Sequence, residues 1–461
     1  MKIKYILPPA LISTVLFLLV HCERFVEVDY PTNQISQFTV FKDKSTALSA
    51  LADVYANLRS NSLLSGNISG ATFLTGCYTD ELQTNSTQQN GIKAFYDLTV
   101  QSTTPAVDDI WISAYRNIYA VNNIIDGIAR SGAYLDESTR NTLTGEALAI
   151  RALLHLYLTG LYGEVPYVET TTYAVNQNIS KSTPIQIYAK LKSDLLQAEN
   201  LLSETYATTE RTRINRSAAR LILARVFIYH QEWEKARHYA NLVKASPTYS
   251  LESSLANVFL KGAKSTVWQF APVDTGANTL EGQTFIIRGT PPPYGFLSPD
   301  MISSFETGDL RRSSWTKSIV DGSTVYYYPF KYREYTKTPA SLEYSVMLRI
   351  EEAYLIAAEA ENNLGNTAEA LQNLNSIRVR AGLTTPSSAT PKEIQNLIVQ
   401  EKRHEFFTEG AHRFLDLKRW NLLDTTLQPV KPQWQKFMKN WPLPQRELLV
   451  NINLKPQNDG Y

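Results

Sequence analysis

The chain has 461 residues, with 45 Lys+Arg against 44 Asp+Glu and a formal net charge of +1. That balance excludes the basic surface a nucleic-acid binder needs and the polybasic patch that attaches a protein to anionic lipid. Cysteine is scarce, at Cys22 and Cys77, so a disulfide framework is excluded and Cys77 reads as a small buried hydrophobe. Aromatics are abundant, with 26 Tyr, 17 Phe and 7 Trp; core packing accounts for most of them, and the rest offer flat apolar faces beside hydroxyls.

Residues 1–21 read as a signal peptide. Lys2 and Lys4 give a positive start, and the run from Ile6 to Val20 is interrupted by Pro8, Pro9, Ser13 and Thr14. A membrane span needs about 20 predominantly apolar residues, which this run does not supply. It ends at Leu19-Val20-His21-Cys22, close to a lipoprotein cleavage box that would leave Cys22 as an acylated first residue. Several acyl chains at one cysteine hold a protein on a bilayer where one chain binds reversibly. The competing reading is an ordinary secretory signal with an incidental cysteine.

Residues 22–40 are polar and extended in character, a tether between lipid and body. Helical periodicity then takes over, first from Phe41 to Ser60 with Leu48, Leu51, Val54, Tyr55 and Leu58 on one face. Longer helices are predicted over Ala106–Arg130 and Glu137–Leu161, the second stopped by Gly163 with Pro166 beyond. Thr183-Pro184 opens another over residues 185–202. Arg213–Ser246 and Met347–Ala381 each read as a helical hairpin, with Ala224 and Ala236 in the first and Ala358 and Ala370 in the second at the same spacing. Small residues at that offset let paired helices touch in tetratricopeptide-type repeats of about 34 residues, and such repeats bury a core only by stacking. Further pairs are therefore expected from 106–161 and 185–230. Residues 61–104 and 247–340 break the pattern, being rich in Gly, Ser, Thr, Asn, Gln, Pro and Tyr. They are long for connections, and such insertions carry function more often than packing. Short strands are predicted at Thr266–Phe270 and Thr324–Tyr332, with Trp268 buried. The expected fold is mostly α, a repeat-helix scaffold with an irregular loop and short-strand insertion, in one domain over 22–461.

Catalytic and metal signals are weak. No phosphate-binding glycine loop occurs, and Gly66-Asn-Ile-Ser-Gly70 lacks the serine position of a hydrolase elbow. Glu401-x-x-His404 and Glu409-x-x-His412 have di-iron-like spacing, but Gly410 separates them and Arg403 and Arg413 crowd them, so no metal or cofactor is expected. Glu401, Glu405 and Glu409 share one helical face and require cations. Arg378, Arg380, Arg413 and Arg419 are the predicted partners in a structural network, and Arg413→Ala should destabilise the fold. Asp80-Glu81 and Asp108-Asp109 are adjacent pairs, with no sequence reason to face each other roughly 5–10 Å apart across a sugar, as a glycosidase requires.

Ordered motifs carry a specific resemblance. They are Phe25-Val-Glu-Val-Asp-Tyr-Pro-Thr-Asn33, the helix of Trp111, Tyr115, Ile118 and Asn122, and Glu146-Ala-Leu-Ala-Ile-Arg-Ala152 followed by Tyr162-Gly-Glu-Val-Pro166. Arg213-Ile-Asn-Arg-Ser-Ala-Ala219 and Trp233-Glu-Lys-Ala236 follow. The C-terminal set runs from Arg349 to Gly365, Glu401 to Gly410, Arg413 to Trp420 and Asn451 to Tyr461. This succession resembles the SusD/RagB family of nutrient-uptake surface lipoproteins, departing from it at His21 and at the extra residue between Gly410 and His412. The resemblance implies a non-catalytic scaffold lidding a TonB-dependent, SusC-like outer-membrane transporter. It further implies capture of an oligosaccharide or peptide, and lipid anchoring at the outer membrane through Cys22, facing outside. It transfers no ligand residue. Sugar recognition wants exposed aromatic faces beside amides and charged forks on rigidly held loops. The two insertions supply Tyr78, Asn85, Gln88 and Gln89, and Arg288, Tyr294, Phe296 and Trp315. A repeat scaffold for protein partners, or a surface glycoside hydrolase, is the alternative.

Overall fold

In a computed structural model the described residues are 37–87 and 91–461. The signal peptide, Cys22, most of the tether, Gln88 and Gln89 lie outside them. Helices of eight residues or more are numbered along the chain. They are α1 (Lys44–Asn61), α2 (Ala71–Tyr78), α3 (Pro105–Arg130), α4 (Glu137–Tyr162), α5 (Pro184–Leu201), α6 (Arg216–Tyr229) and α7 (Trp233–Lys244), then α8 (Ile350–Asn363), α9 (Thr367–Arg380), α10 (Pro391–Phe406) and α11 (His412–Arg419). Six short strands interleave with them: β1 (Leu82–Thr84), β2 (Thr266–Phe270), β3 (Gly295–Leu297), β4 (Thr316–Asp321), β5 (Thr324–Pro329) and β6 (Ser345–Arg349).

Local chemistry explains the helix ends. The Asp43 carboxylate accepts from the Thr46 N–H at the start of α1, and Thr183 with Gln186 forms a reciprocal capping box that opens α5 on Pro184. Thr390 and Glu393 do the same for α10. At the end of α4, Gly163 takes φ 83°, a left-handed turn that favours glycine, and its N–H closes on the Thr159 carbonyl.

From α3 to α9 every helix packs on the next. Ala224, Ala236, Ala358 and Ala370 are fully buried, so the small residues do sit in the repeat interior. The stack also crosses the long insertion, because α7 packs against α8 although residues 245–349 separate them in the chain. The middle of α4 is buried all round, from Gly145 to Leu158, as expected of a central helix. The predicted strand at Thr266–Phe270 forms and pairs antiparallel with β6, with Trp268 buried. The second predicted strand stops at Pro329, three residues short of Tyr332.

A buried ion-pair network fastens the insertion to the scaffold. Arg311, from the short helix Leu310–Trp315, reaches Asp309 at 2.8 Å, Glu401 at 2.6 Å and Glu405 at 3.0 Å. Arg349 on β6 binds Glu409 at 2.8 Å and also Glu405, and Arg380 binds Glu351 and Glu405. Arg378 joins Glu306 at 2.7 Å and Glu401 at 3.2 Å. Burial alone would raise the Glu405 carboxyl, but Arg380, Arg349 and Arg311 hold it well below the usual range. Two expected partners go elsewhere. Arg413 makes a forked pair with Asp80 at 2.9 and 2.7 Å, and Arg419 takes Glu359 and Asp416. Arg311 from the insertion and Arg349 from β6 take their places beside Glu401, Glu405 and Glu409, because Arg413 and Arg419 are held by Asp80, Glu359 and Asp416.

Candidate functional site

The two irregular segments meet. β1 pairs antiparallel with β3, matching Leu82 to Leu297, Gln83 to Phe296 and Thr84 to Gly295. The Thr84 hydroxyl donates to the Tyr294 carbonyl, and the Ser298 N–H donates to the Glu81 carbonyl at 2.9 Å. Asn85, Tyr294 and Phe296 are thereby brought together from segments more than two hundred residues apart. β5 packs beside β3 and forms a hairpin with β4, setting Lys317 opposite Tyr328 and Ile319 opposite Tyr326.

Beneath this surface lies a small core of its own, in which Ile286, Ile287 and Tyr328 are buried and Phe296, Ile319, Tyr326 and Phe330 lean against them. The Phe296 and Tyr326 rings meet edge to face, with centroids 5.0 Å apart. Tyr294 remains 38% exposed and Tyr335 39% exposed, while Asn85 and Arg288 are exposed. A groove of about 450 Å³ runs along the segment from Gln283 to Gly295 and includes Arg288 and Tyr294. The arrangement is a ledge of aromatic edges with one amide and several cations, held by short strands on a rigid helical body.

Tyr78 and Trp315 are not part of it, which corrects the expectation that they face a ligand. Tyr78 is buried among Phe95, Phe414, Trp434 and Trp441, and its hydroxyl donates to the Met438 carbonyl at 3.0 Å. Trp315 is fully buried against Phe259 and Phe407, and its indole N–H donates to the Leu255 carbonyl. Both rings finish helices whose inner faces pack on the scaffold. Sequence reasoning missed Lys317, Tyr326, Phe330, Arg333 and Tyr335. The run Tyr326-Tyr-Tyr328 was the available signal, but a strand alternates its faces, and only the packing tells which tyrosine turns inward.

Among the carboxylates considered for catalysis, Asp80 is held in a buried ion pair with Arg413 and Arg403. Asp80 is buried; burial alone would raise its carboxyl, but Arg413 and then Arg403 hold it down to about 2. Burial, and after it the neighbouring Asp80 charge, pushes Glu81 up to about 7. Asp108 and Asp109 are consecutive on α3, so their side chains leave the helix about 100° apart. His404 stacks on Phe305 and His412 on Phe406, and among the described residues no cluster of His, Cys, Asp and Glu is arranged to hold a metal ion. No described helix is long and apolar enough to cross a membrane.

A stacked-helix scaffold presenting an aromatic ledge has the architecture of a binding protein. Comparison with known proteins sharpens that class. Residues 36–228 match the family model described as starch-binding, associating with the outer membrane, and residues 299–461 match that of the SusD family. The chain is 24% identical to a SusD-like protein of Formosa agariphila over 522 residues, covering 95% of this chain and 96% of that one. Among solved structures, a SusD superfamily protein from Bacteroides vulgatus superposes with a TM-score of 0.80 at 21% identity, covering 92% of this chain and 100% of the other. A laminarin-binding SusD-like protein superposes with a TM-score of 0.76 at 20% identity, covering 91% and 100%. The chain belongs to the SusD/RagB family.

Proposed function

We propose that this protein is a surface lipoprotein that captures an oligosaccharide at the ledge of Asn85, Arg288, Tyr294 and Phe296 and delivers it to a TonB-dependent, SusC-like transporter. The observation that carries the reading is the pairing of β1 with β3. It gathers residues from the two irregular segments into one partly exposed aromatic surface. The glycan-binding relatives support the ligand class, and the laminarin-binding structure shows that this fold serves such a ligand in another protein. Lipid attachment at Cys22 supplies the tether, and the outer-membrane association of the family supports the location.

The chemistry available at the ledge is binding without bond cleavage. Ring edges and faces cover the apolar side of a pyranose, and Asn85 and Arg288 offer donors for hydroxyl oxygens. The full chain held in detergent is titrated with polysaccharides, oligosaccharides and peptides, and each mixture is checked for breakdown. Saturable oligosaccharide binding that weakens in Tyr294→Ala, without new reducing ends, is the expected result. Release of products would make it a hydrolase, and peptide binding alone would move the ligand class. Recovery of a β-barrel transporter with the affinity-tagged chain from outer membranes tests the delivery step, and its absence under gentle extraction would remove that step.

A further inference from the structure

Resting on the reading of the ledge as a saccharide site, we propose that its ligand is an anionic oligosaccharide, one bearing uronate carboxylates or sulfate esters, recognised by Arg288, Lys317 and Arg333.

Three cations converge on the ledge, and each lies over an aromatic ring. Lys317 Nζ is 3.8 Å from the centroid of Phe330, the Arg333 guanidinium is 5.7 Å from the same ring, and the Arg288 guanidinium is 5.5 Å from the Tyr335 ring. Cation–ring contact fixes where the charge sits without neutralising it. None of the three is paired with a carboxylate among the described residues. Buried arginines are treated differently: Arg225, Arg311, Arg349 and Arg380 all lie in ion pairs with carboxylates.

The nearby acids do not cancel the ledge charge. Glu343 spends its carboxylate on the backbone N–H groups of Arg333 and Glu334, at 2.8 and 3.0 Å. Asp321 is at the far end of the β4–β5 hairpin from Lys317. Glu334, half-buried between Arg333 and Tyr335, and Glu343, on the Arg333 N–H, are the acids beside the cations, and the three cations outnumber them. In a chain with net charge +1 this leaves a local excess of positive charge.

The rings reinforce the argument. A neutral sugar stacks its C–H face on an open aromatic face, yet Phe330 and Tyr335 carry cations over theirs. Tyr294 and the edge of Phe296 remain for apolar contact. The ledge therefore presents fixed charge with a minor stacking surface. Planar guanidinium forks at Arg288 and Arg333 suit the paired oxygens of a carboxylate or sulfate, and Lys317 adds a point charge.

The test titrates the full chain in detergent with size-matched oligosaccharides of three kinds. One is neutral (β-glucan), one carries uronates (polygalacturonate fragments) and one carries sulfate esters (carrageenan fragments). Polyglutamate serves as a polyanion control, and each titration is run at low and high salt. Expected is binding of the uronate or the sulfated series, whichever source supplies the anion, with weakening by salt. Loss of one charge-assisted contact in Arg288→Gln, Lys317→Gln or Arg333→Gln should cost roughly 10–100-fold in affinity. Unchanged thermal melting of the three variants shows that they fold. Neutral oligosaccharide bound as tightly as the anionic ones, with no loss in the three variants, overturns the anionic assignment and leaves saccharide capture standing. Polyglutamate bound as well as the saccharides overturns it as mere ion exchange. Failure of every saccharide overturns both this inference and the function it rests on.

Discussion

Two regions of this protein use the same residue types to opposite ends. Where α10 meets the insertion, Arg311, Arg349, Arg378 and Arg380 are buried and surrounded by Glu306, Glu351, Glu401, Glu405 and Glu409. On the β3–β5 ledge, Arg288, Lys317 and Arg333 have rings beneath them and no carboxylate partner. A buried charge must be matched by its opposite, because desolvation costs several kcal/mol per ion. A charge at the surface keeps its water and can stay unmatched until a ligand arrives. Burial, rather than composition, separates the paired structural arginines from the unmatched cations of the ledge.

The largest expected effects come from breaking the buried side of this contrast. Arg349→Met leaves Glu405 to Arg311 and Arg380 and Glu409 to Lys331 alone, and should cost about 3 kcal/mol in urea unfolding; a loss below about 1 kcal/mol would show that the network contributes little. Arg413→Ala should also destabilise the fold, by leaving buried Asp80 to Arg403 alone, now loosening residues 61–104 rather than the α10 glutamates. Proteolysis at low protease concentration should then cut first near β1.

A smaller effect is pH-dependent. Burial, then Asp80, raises Glu81 from 4.5 to about 7, so between those values the folded chain binds more protons at this site than the unfolded one. Stability from this group is therefore fully present below about pH 4.5 and falls as pH rises to about 7, by roughly 3 kcal/mol. Glu81→Gln should flatten that limb relative to the unsubstituted protein, and identical slopes would remove Glu81 as its source. The smallest stability effect belongs to the ledge. Arg288→Gln should shift unfolding by less than about 0.5 kcal/mol while lowering ligand affinity, and a larger loss would make Arg288 structural.

Much of the scaffold was legible because helices announce themselves locally. The opening at Thr183-Pro184, the stop at Gly163 and the buried alanines of α6 to α9 depend on neighbours within a few turns. The strand at Thr266–Phe270 was visible for the same reason, being a short apolar run buried at every position.

The ledge was legible only in part. Asn85, Arg288, Tyr294 and Phe296 could be chosen as exposed chemistry on loops, but Tyr78 and Trp315 looked equally suitable and are core. Aromatic identity does not say which way a ring turns when apolar partners arrive from distant segments, here Trp434 and Trp441 for Tyr78 and Leu255, Phe259 and Phe407 for Trp315. The acidic face of α10 was readable as needing cations, yet Arg311 and Arg349 had to be brought to it by the fold in place of Arg413 and Arg419. What the amino-acid sequence determined alone was the order of the long scaffold helices and the family the chain belongs to, because those rest on periodicity and short motifs. Only the tertiary structure decided that two irregular segments pair as β1 and β3, because that pairing joins residues more than two hundred apart in the chain, and which cations stay unmatched at the surface, because that depends on which carboxylates the fold brings near them.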